Sequence, residues 1–317
     1  MIKALVTGGA GFIGSNLANT LHSMGWNVEI VDDMSNGHVQ FLHVDLRSSR
    51  LCMDDFTCPE ILSKIENKEY DYVFHLAANP RVSYSLEKPV ETHEVNVLKT
   101  LRLMNACKGN VKRLVFAASS SSYGDAKFLP TTEECPDDPR SPYALQKAIV
   151  EKYLKLYSEI YGLDSVCLRF FNVFGPNQLG DSPYSTAVSA WMTAIKRGKS
   201  MRSDGDGSQS RDMCYVDDVV DCLIKSALTE EKLNAEILNV GVGEVVTNAS
   251  ILNYLKTRYP QAISHDAPWR PGDVMHTKAD ITKTKRLVGY EPKVNVWQGL
   301  DKTIEWYEQN WTWLKDL

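Results

Sequence analysis

The sequence predicts an α/β fold: a Rossmann-type, doubly wound parallel sheet with a smaller, interleaved C-terminal substrate domain. Three observations carry this expectation. Short apolar, β-branched runs recur along the chain: "IKALVTG", "VEIVDD", "DYVFHLAA", "RLVFAASS", "SVCLRFFNV" and "EILNVG". Longer stretches with helical spacing separate most of them, and that alternation gives a parallel sheet covered on both faces. Gly8, Gly11 and Gly14 stand at even intervals between the first run and a helix-like run. That is more glycine than a turn needs, and it suits a ligand that approaches the backbone closely.

Taken in order, "IKALVTG" reads as the first strand and "GFIGSNLANTLHSMG" as the first helix. The strand "VEIVDD" ends in Asp32 and Asp33. "ETHEVNVLKTLRLMNACK" carries Val95, Leu98, Leu101 and Leu103 at helical spacing. "SPYALQKAIVEKYLKLYSEIYG" opens with Ser141 as N-cap and Pro142 as first helical residue, and stops at Gly162. The pattern changes after "FNVFGPNQ". Residues 176–211 are rich in Pro, Gly, Ser and Asp, with one helix-like piece near "AVSAWMTAIKRG". "YVDDVVDCLIKSAL" and "EILNVG" return to the sheet, and 244–317 read as helices and loops. The expected division is 1–174 with 212–242 for a dinucleotide-binding domain, and 175–211 with 243–317 for a substrate domain.

A chain of 317 residues, 43% hydrophobic and 24% charged, is long enough for a sizeable core and ordinary for a globular protein. A net charge of -5 argues against nucleic acid and anionic membranes as partners. No apolar run is long enough to cross a bilayer. The opening is a strand followed by glycines, so no secretory leader is expected and the location is expected to be cytoplasmic. Seven scattered cysteines without a Cys-x-x-Cys pair suit reduced thiols better than a disulfide framework. The seven histidines are dispersed without metal-ligand spacing, so no metal is expected.

Gly8-x-x-Gly11-x-x-Gly14 sits where a strand meets a helix, and the free N–H groups and positive end of that helix can hold a pyrophosphate. Gly8 permits the tight turn, Gly11 lets phosphate reach the backbone, and Gly14 lets helix pack on strand. Asp32 closes the next strand, near the spacing of about 20 residues expected for a ribose-binding carboxylate. Such a carboxylate accepts from a ribose 2′-hydroxyl and repels a 2′-phosphate, which favours NAD over NADP. Asp33 can share that role. The competing reading is a glycine-rich turn with a solvated acidic pair.

Tyr143 and Lys147 are four apart and share one helix face. A free tyrosine has a pKa of about 10 and is a poor base at neutral pH. An adjacent ammonium favours the phenolate, so Tyr143 is expected to be made acidic enough to take a proton from a substrate hydroxyl. "FAASSSSYG" lies at the C-terminal end of a predicted strand, where open parallel sheets bind ligands, and offers a hydroxyl to a substrate oxygen. Taken singly, the first pair reads equally as surface residues and the second stretch as a polar loop.

Gly8-x-x-Gly11-x-x-Gly14, "HLAA" (75–78), "SSSSYG" (119–124), Tyr143-x-x-x-Lys147, "RFFNVFGP" (169–176), "RDMCYVDDV" (211–219) and "RPGD" (270–273) follow in that order. Together they resemble the extended short-chain dehydrogenase/reductase family, the NAD-dependent nucleotide-sugar epimerases and dehydratases, over nearly the whole chain. The resemblance implies that Gly8, Gly11, Phe12, Ile13 and Gly14 line the pyrophosphate and that Asp32 meets the adenosine ribose. It places Asp45 and Leu46 at the adenine, Leu76, Ala77 and Ala78 along the cofactor, and Asn96 beside it. Ser119, Tyr143 and Lys147 become the catalytic set. Asn172, Arg211 and Arg270 would hold the sugar nucleotide, since guanidinium forks suit phosphate oxygens. Asp273 and Thr277 complete the implied substrate contacts.

Within that family, dehydratases carry Asp-Glu after the catalytic hydroxyl, where this chain has Ser120 and Ser121. Decarboxylating members also place an acid in that loop. Members that epimerise GDP-sugars at carbons 3 and 5 use a Cys with a His or Lys, and the expected histidine is Asn177 here. What the resemblance then implies is a 4-epimerase, similar to those acting on UDP-glucose and UDP-N-acetylglucosamine. Tyr143 would take the carbon-4 hydroxyl proton as hydride passes to NAD. The 4-keto sugar would turn about its diphosphate, held by Arg211 and Arg270, before re-reduction on the other face. Thr277 is small where some relatives are bulky, which leaves room for an N-acetyl group. Asp204 stands where many UDP-sugar epimerases have an aromatic or apolar residue near the uracil. A GDP- or CDP-sugar epimerase or reductase therefore stays open, as does a non-catalytic NAD-binding sensor. A homodimer through the helices around 92–108 and 143–161 is the family expectation.

Overall fold

The computed structural model describes residues 1–180, 186–269 and 274–316. Strands β1 (Lys3–Thr7), β2 (Asn27–Val31), β3 (Leu51–Cys52), β4 (Tyr72–His75), β5 (Arg113–Ser119) and β6 (Ser165–Phe170) join Glu236–Val240 in one 7-stranded sheet. The spatial order is Glu236–Val240, β6, β5, β4, β1, β2, β3, and every neighbouring pair runs parallel. Such strands are covered on both faces, so they read as near-continuous apolar runs. All of β6 and all but the last residue of β5 are buried. The order reverses beside β1: the chain moves outward through β2 and β3, then returns to β4 on the other side. A crevice opens there, beyond the carboxyl ends of β1 and β4.

Successive residues of β1 face opposite cores. Val6 packs with Leu17 and Leu21 of helix α1 (Phe12–Ser23) and with Val219 and Leu223 of the helix Val216–Leu228. Leu5 packs on the other face with Ile61, Leu103, Val150 and Leu154. The helix Pro142–Tyr161 begins and ends as its sequence requires. Ser141 accepts from the Ala144 N–H, Pro142 occupies the first turn, and Gly162 closes it in the left-handed conformation.

Three elements differ from the sequence expectation. The stretch 91–108 is not one α-helix: Pro89–His93 and Thr100–Cys107 are α-helical, with a π-helical turn at Glu94–Lys99 between them. "SVCLRFFNV" breaks after Phe170, and Asn172–Phe174 leaves the sheet to pair parallel with Met213–Tyr215. β3 was not anticipated, because two residues carry no periodicity. Beyond the sheet, Ser210–Arg211 pairs antiparallel with Val246–Thr247, and Met201–Asp204 pairs parallel with Ser264–Ala267. Residues of Ala187–Lys196, Asn248–Arg258, Met201–Asp204 and Ser210–Arg211 line the crevice.

At the opposite end of the sheet a buried arginine ties three segments together. Arg113 donates from Nε to Asp164 (2.8 Å) and from its terminal nitrogens to the carbonyls of Ser226 (2.8 Å), Thr229 (2.9 Å) and Glu231 (2.6 Å). Asp164 in turn accepts from the N–H groups of Leu233 and Asn234. Removing one partner of such a pair strands the other charge. Arg113→Ala is therefore expected to lower folding stability by about 3–5 kcal/mol, measured by urea denaturation. A loss below about 1 kcal/mol would show that water replaces the guanidinium.

Candidate active site

The crevice widens into a cavity of about 1080 Å³. A pocket for one ligand is usually ~300–1,000 Å³, so this one has room for more than a single small molecule. One half is built on the turn between β1 and α1. Gly8 has φ +68, and a Cβ there would lie 2.7 Å from the Ala77 nitrogen. A Cβ on Gly14 would lie 2.1 Å from the Gly8 carbonyl oxygen. Neither position tolerates a side chain, and the result is a bare N-terminus of α1 facing the cavity. Gly8, Gly11, Phe12, Ile13 and Gly14 all line it. The donors of that helix end fit the pyrophosphate of a dinucleotide.

Asp32 and Asp33 line the same half. Asp32 accepts from Ala10 N and Met34 N, each at 2.9 Å. Burial pushes its pKa up, and those two N–H groups oppose the shift. A carboxylate has about four acceptor sites, so two such bonds leave capacity for a ribose hydroxyl. Asp33 accepts from Ser35 N.

Leu76, Ala77 and Ala78 form the wall at the end of β4. Behind them His75 is buried, with Nδ1 2.7 Å from the Thr7 hydroxyl and Nε2 2.9 Å from that of Thr100. Burial pushes His75 down to about 3, so it is neutral. Thr7 also accepts from Ala77 N, which fixes this wall against β1. Thr7 and His75 thus support the wall. The only sequence sign of this was the "HLAA" stretch, whose histidine had no assigned role.

Three expected residues lie off the cavity. Asp45 sits on the surface beside His22 and His43, and Leu46 is 1% exposed in the core. The short helix α2 (Val44–Ser49) intervenes before β3, so the residues at the carboxyl end of β3 are later in sequence. There Asp55 and Phe56 line the cavity. Their signal was an acidic pair after "LC", too short a run to read as a strand. Asn96 is 2% exposed and stands behind the wall. It accepts from Asn79 N (2.8 Å) and donates to Asn79 O (3.1 Å) and Gln146 Oε1 (2.8 Å), so it positions Asn79, which does line the cavity.

Ser119 ends β5, and Tyr143 and Lys147 rise from the first turns of the helix Pro142–Tyr161. Tyr143 N donates to Ser85 Oγ at 3.1 Å, and Ser119 Oγ lies 2.8 Å from Ser121 Oγ and accepts from Ser121 N at 3.2 Å. Lys147 donates from Nζ to Ala117 O at 2.7 Å and lies 5.9 Å from the centre of the Tyr143 ring. All three line the cavity. The expected lowering of the Tyr143 pKa is not a property of the protein alone. Burial pushes Tyr143 up to about 12, against the opposing effect of the Ser119 side chain. Burial also pushes Lys147 down to about 8, partly offset by the Glu151 carboxylate one turn further on. Glu151 is held by Arg169, whose Nε donates at 2.9 Å. Arg169 also reaches Asp137 at 2.6 Å and covers the Tyr123 ring at 4.3 Å. Low dielectric thus opposes both ionised forms, and a further positive charge in the cavity would favour the phenolate.

Asn172, Arg211 and Thr277 line the facing wall. Thr277 Oγ1 donates to Asn172 Oδ1 at 3.2 Å, and Arg211 is pinned by the carbonyls of Ser210 (3.1 Å) and Met275 (3.0 Å). Arg270 and Asp273 lie outside the described residues. Among the described residues no helix is long and apolar enough to cross a membrane.

A parallel sheet with a glycine cradle at its switch point, facing a Ser–Tyr–Lys set, defines an NAD-binding α/β enzyme. A family model described as the NAD dependent epimerase/dehydratase family matches residues 4–241. The chain is 32% identical to a UDP-glucose 4-epimerase of Mycolicibacterium smegmatis, over 96% of this chain and 98% of that one. Among solved structures it is similar to a UDP-N-acetylglucosamine 4-epimerase from Methanobrevibacter ruminantium in complex with UDP-N-acetylmuramic acid. That match has TM-score 0.91 and 34% identity and covers 97% of this chain and 98% of that one. It is also similar to a UDP-glucose 4-epimerase from Thermotoga maritima with UDP-glucose, with TM-score 0.90, 32% identity and coverage of 98% and 100%. The chain therefore belongs to the NAD dependent epimerase/dehydratase family, as an NAD-dependent nucleotide-sugar epimerase.

The depressed Lys147 pKa has a measurable consequence. Between pH 8 and 10.5 the unfolded chain keeps this proton and the folded one does not, so the stability of the cofactor-free protein rises with pH across that window. Lys147→Met removes the group. The wild type should gain about 2 kcal/mol relative to this variant between pH 8 and 10, read from denaturation midpoints. Parallel stability curves would mean that Lys147 is not desolvated.

Proposed function

We propose that the protein is a 4-epimerase of UDP-hexoses, interconverting UDP-glucose and UDP-galactose and accepting their N-acetyl forms. One observation carries this reading. Ser119, Tyr143 and Lys147 line the same cavity as the Gly8–Gly14 cradle and Arg211, and the chain after Ser119 continues as Ser120 and Ser121 without a carboxylate. Water elimination and decarboxylation need an acid there to move a second proton. Transfer of a single hydroxyl proton needs only the phenol and its neighbours.

Gly8, Gly11, Gly14 and Asp32 would hold NAD, which when bound supplies the acceptor and donor of hydride at the sugar carbon. Tyr143 takes the proton of the carbon-4 hydroxyl, and Ser119 holds the same oxygen. The protonated Lys147 beside the ring stabilises the phenolate. Arg211 holds the diphosphate, and Arg270 and Asp273 are proposed to join it. Thr277 beside Asn172 leaves the facing wall small, which suits an N-acetyl group. The substrate-binding part is proposed to comprise 175–211 and 243–317. A second reading rests on Asp204, which lines the cavity and pairs with Arg202 Nε at 2.6 Å. A carboxylate at the base subsite suits the adjacent N–H donors of guanine, which makes a GDP-sugar the alternative substrate.

We also infer a homodimer. Leu145, Ile149, Tyr153, Leu156 and Ile160 follow helical spacing along Pro142–Tyr161, and Leu145, Leu156 and Ile160 are 49%, 48% and 65% exposed. Ile149 leans on the core, but the exposed Leu145, Tyr153, Leu156 and Ile160 form an apolar stripe that suits a matching stripe on a second copy.

Incubation with UDP-, GDP- and CDP-sugars, with products resolved by NMR, should show interconversion of UDP-glucose and UDP-galactose. Tyr143→Phe should keep NAD binding and lose turnover by about 100-fold or more. Undiminished turnover in that variant would remove Tyr143 from the chemistry, and turnover confined to GDP-sugars would transfer the assignment to the second reading. Leu156→Glu with Ile160→Glu should give a monomer by sedimentation, whereas an unchanged dimer would place the interface elsewhere.

A further inference from the structure

Away from the cavity, two histidines far apart in sequence meet one carboxylate. His22 lies in the last turn of α1, His43 is the N-cap of α2, and Asp45 is in its first turn. His22 Nε2 and His43 Nδ1 each stand 3.5 Å from the same oxygen, Asp45 Oδ2. The three candidate ligand atoms all lie within 4.8 Å of one another, and the imidazole rings are 5.0 Å apart between centroids. The arrangement is held from below by Asn19, which accepts from His43 N and donates to Phe41 O, both at 2.8 Å.

We propose that His22, His43 and Asp45 form a binding site for a divalent transition-metal ion of the zinc type. Two imidazole nitrogens and one carboxylate oxygen are a donor set that zinc accepts. Ligand atoms ~2.0–2.1 Å from a tetrahedral zinc are ~3.3–3.5 Å from each other, close to the two spacings present. Both rings address one oxygen. As ion pairs this would set two imidazolium charges side by side for the small gain of a surface contact. A metal between them replaces those protons and removes the repulsion. His43 Nδ1 receives only a long 3.4 Å contact from Asp45 N, a weak competitor for its lone pair. Side-chain exposures of 33%, 51% and 66% leave the remaining coordination to water and the site open to ions from solution.

Such an ion joins the end of α1 to the segment carrying His38 and Phe41, both of which line the cofactor half of the cavity. His38 N already donates to Ala10 O at 2.9 Å. Metal binding to the folded state alone then raises its thermal midpoint by mass action. The segment is bracketed between the glycine turn at one end and the metal at the other.

The test uses the full chain, stripped with a chelator and titrated with zinc chloride by calorimetry and with cobalt chloride by visible absorption. One ion per chain is expected, with a cobalt spectrum lacking thiolate charge-transfer absorption. His22→Ala, His43→Ala and Asp45→Asn should each weaken binding by about tenfold or more. They should also abolish the zinc-induced rise in melting temperature, each variant read against its own metal-free melting temperature, while leaving NAD binding unchanged. Absence of stoichiometric binding to the wild type would overturn the proposal. So would undiminished binding by the His22→Ala/His43→Ala double variant, or a thiolate spectrum, which assigns the ion to cysteines.

Discussion

The closure of α1 onto β1 is the constraint on which the rest of the structure depends. Gly14 rests on the carbonyl of Gly8, and Gly8 rests on the backbone of Ala77, at distances that leave no room for a Cβ. That contact brings the helix end, the last residues of β1 and the wall after β4 to one point. It also draws in Asp32, which bonds Ala10 at the turn and Met34 beyond β2. Thr7 and His75 complete the joint from beneath. A buried, neutral imidazole between two hydroxyls bears on both strands without placing a charge under the cofactor site.

The reacting half is governed by desolvation. Tyr143 and Lys147 share a helix face near the end of β5, and burial works against the ionised form of each. Glu151 favours the Lys147 cation, and the positively charged guanidinium of Arg169, itself almost fully buried, holds Glu151 in place. This chain of alternating charges sets how far Lys147 can depart from its ordinary protonation. The cofactor-free protein keeps Tyr143 protonated. A cationic ring entering the cavity would supply the missing bias toward the phenolate.

The two halves of the cavity are fastened together by short polar contacts. Asn177 donates to Ser15 Oγ at 2.9 Å, and Asn16 donates to Pro176 O at 3.0 Å, so the start of the second segment is anchored on α1. Asp212 accepts from Val242 N, Gly243 N and Ala279 N, which gathers three chain segments behind Arg211 and Thr277. Burial still pushes Asp212 up to about 6 despite these donors. Residues distant in sequence therefore reach the wall formed by Asn172, Arg211 and Thr277 through a fixed backbone.

Local chemistry made much of this readable from the sequence. The Ser141–Pro142 start, the Gly162 stop and the pairing of Tyr143 with Lys147 are each decided within about one turn of chain, by sterics and by hydrogen bonds between near neighbours, and the glycine spacing shows directly in the sequence even though Gly8 answers to the distant backbone of Ala77. The parallel sheet was legible because doubly buried strands must be apolar throughout. Other features depended on contacts between distant segments. The two-residue β3 exists only because β2 offers an edge, and its position puts Asp55 and Phe56, rather than Asp45 and Leu46, on the cavity wall. The π-turn that buries Asn96 shows no departure from helical spacing in the sequence, and the meeting of His22 with His43 follows from how α1 and α2 are docked. The pKa values of Tyr143 and Lys147 likewise belong to the fold, because desolvation depends on what surrounds a group in three dimensions rather than on what adjoins it along the chain.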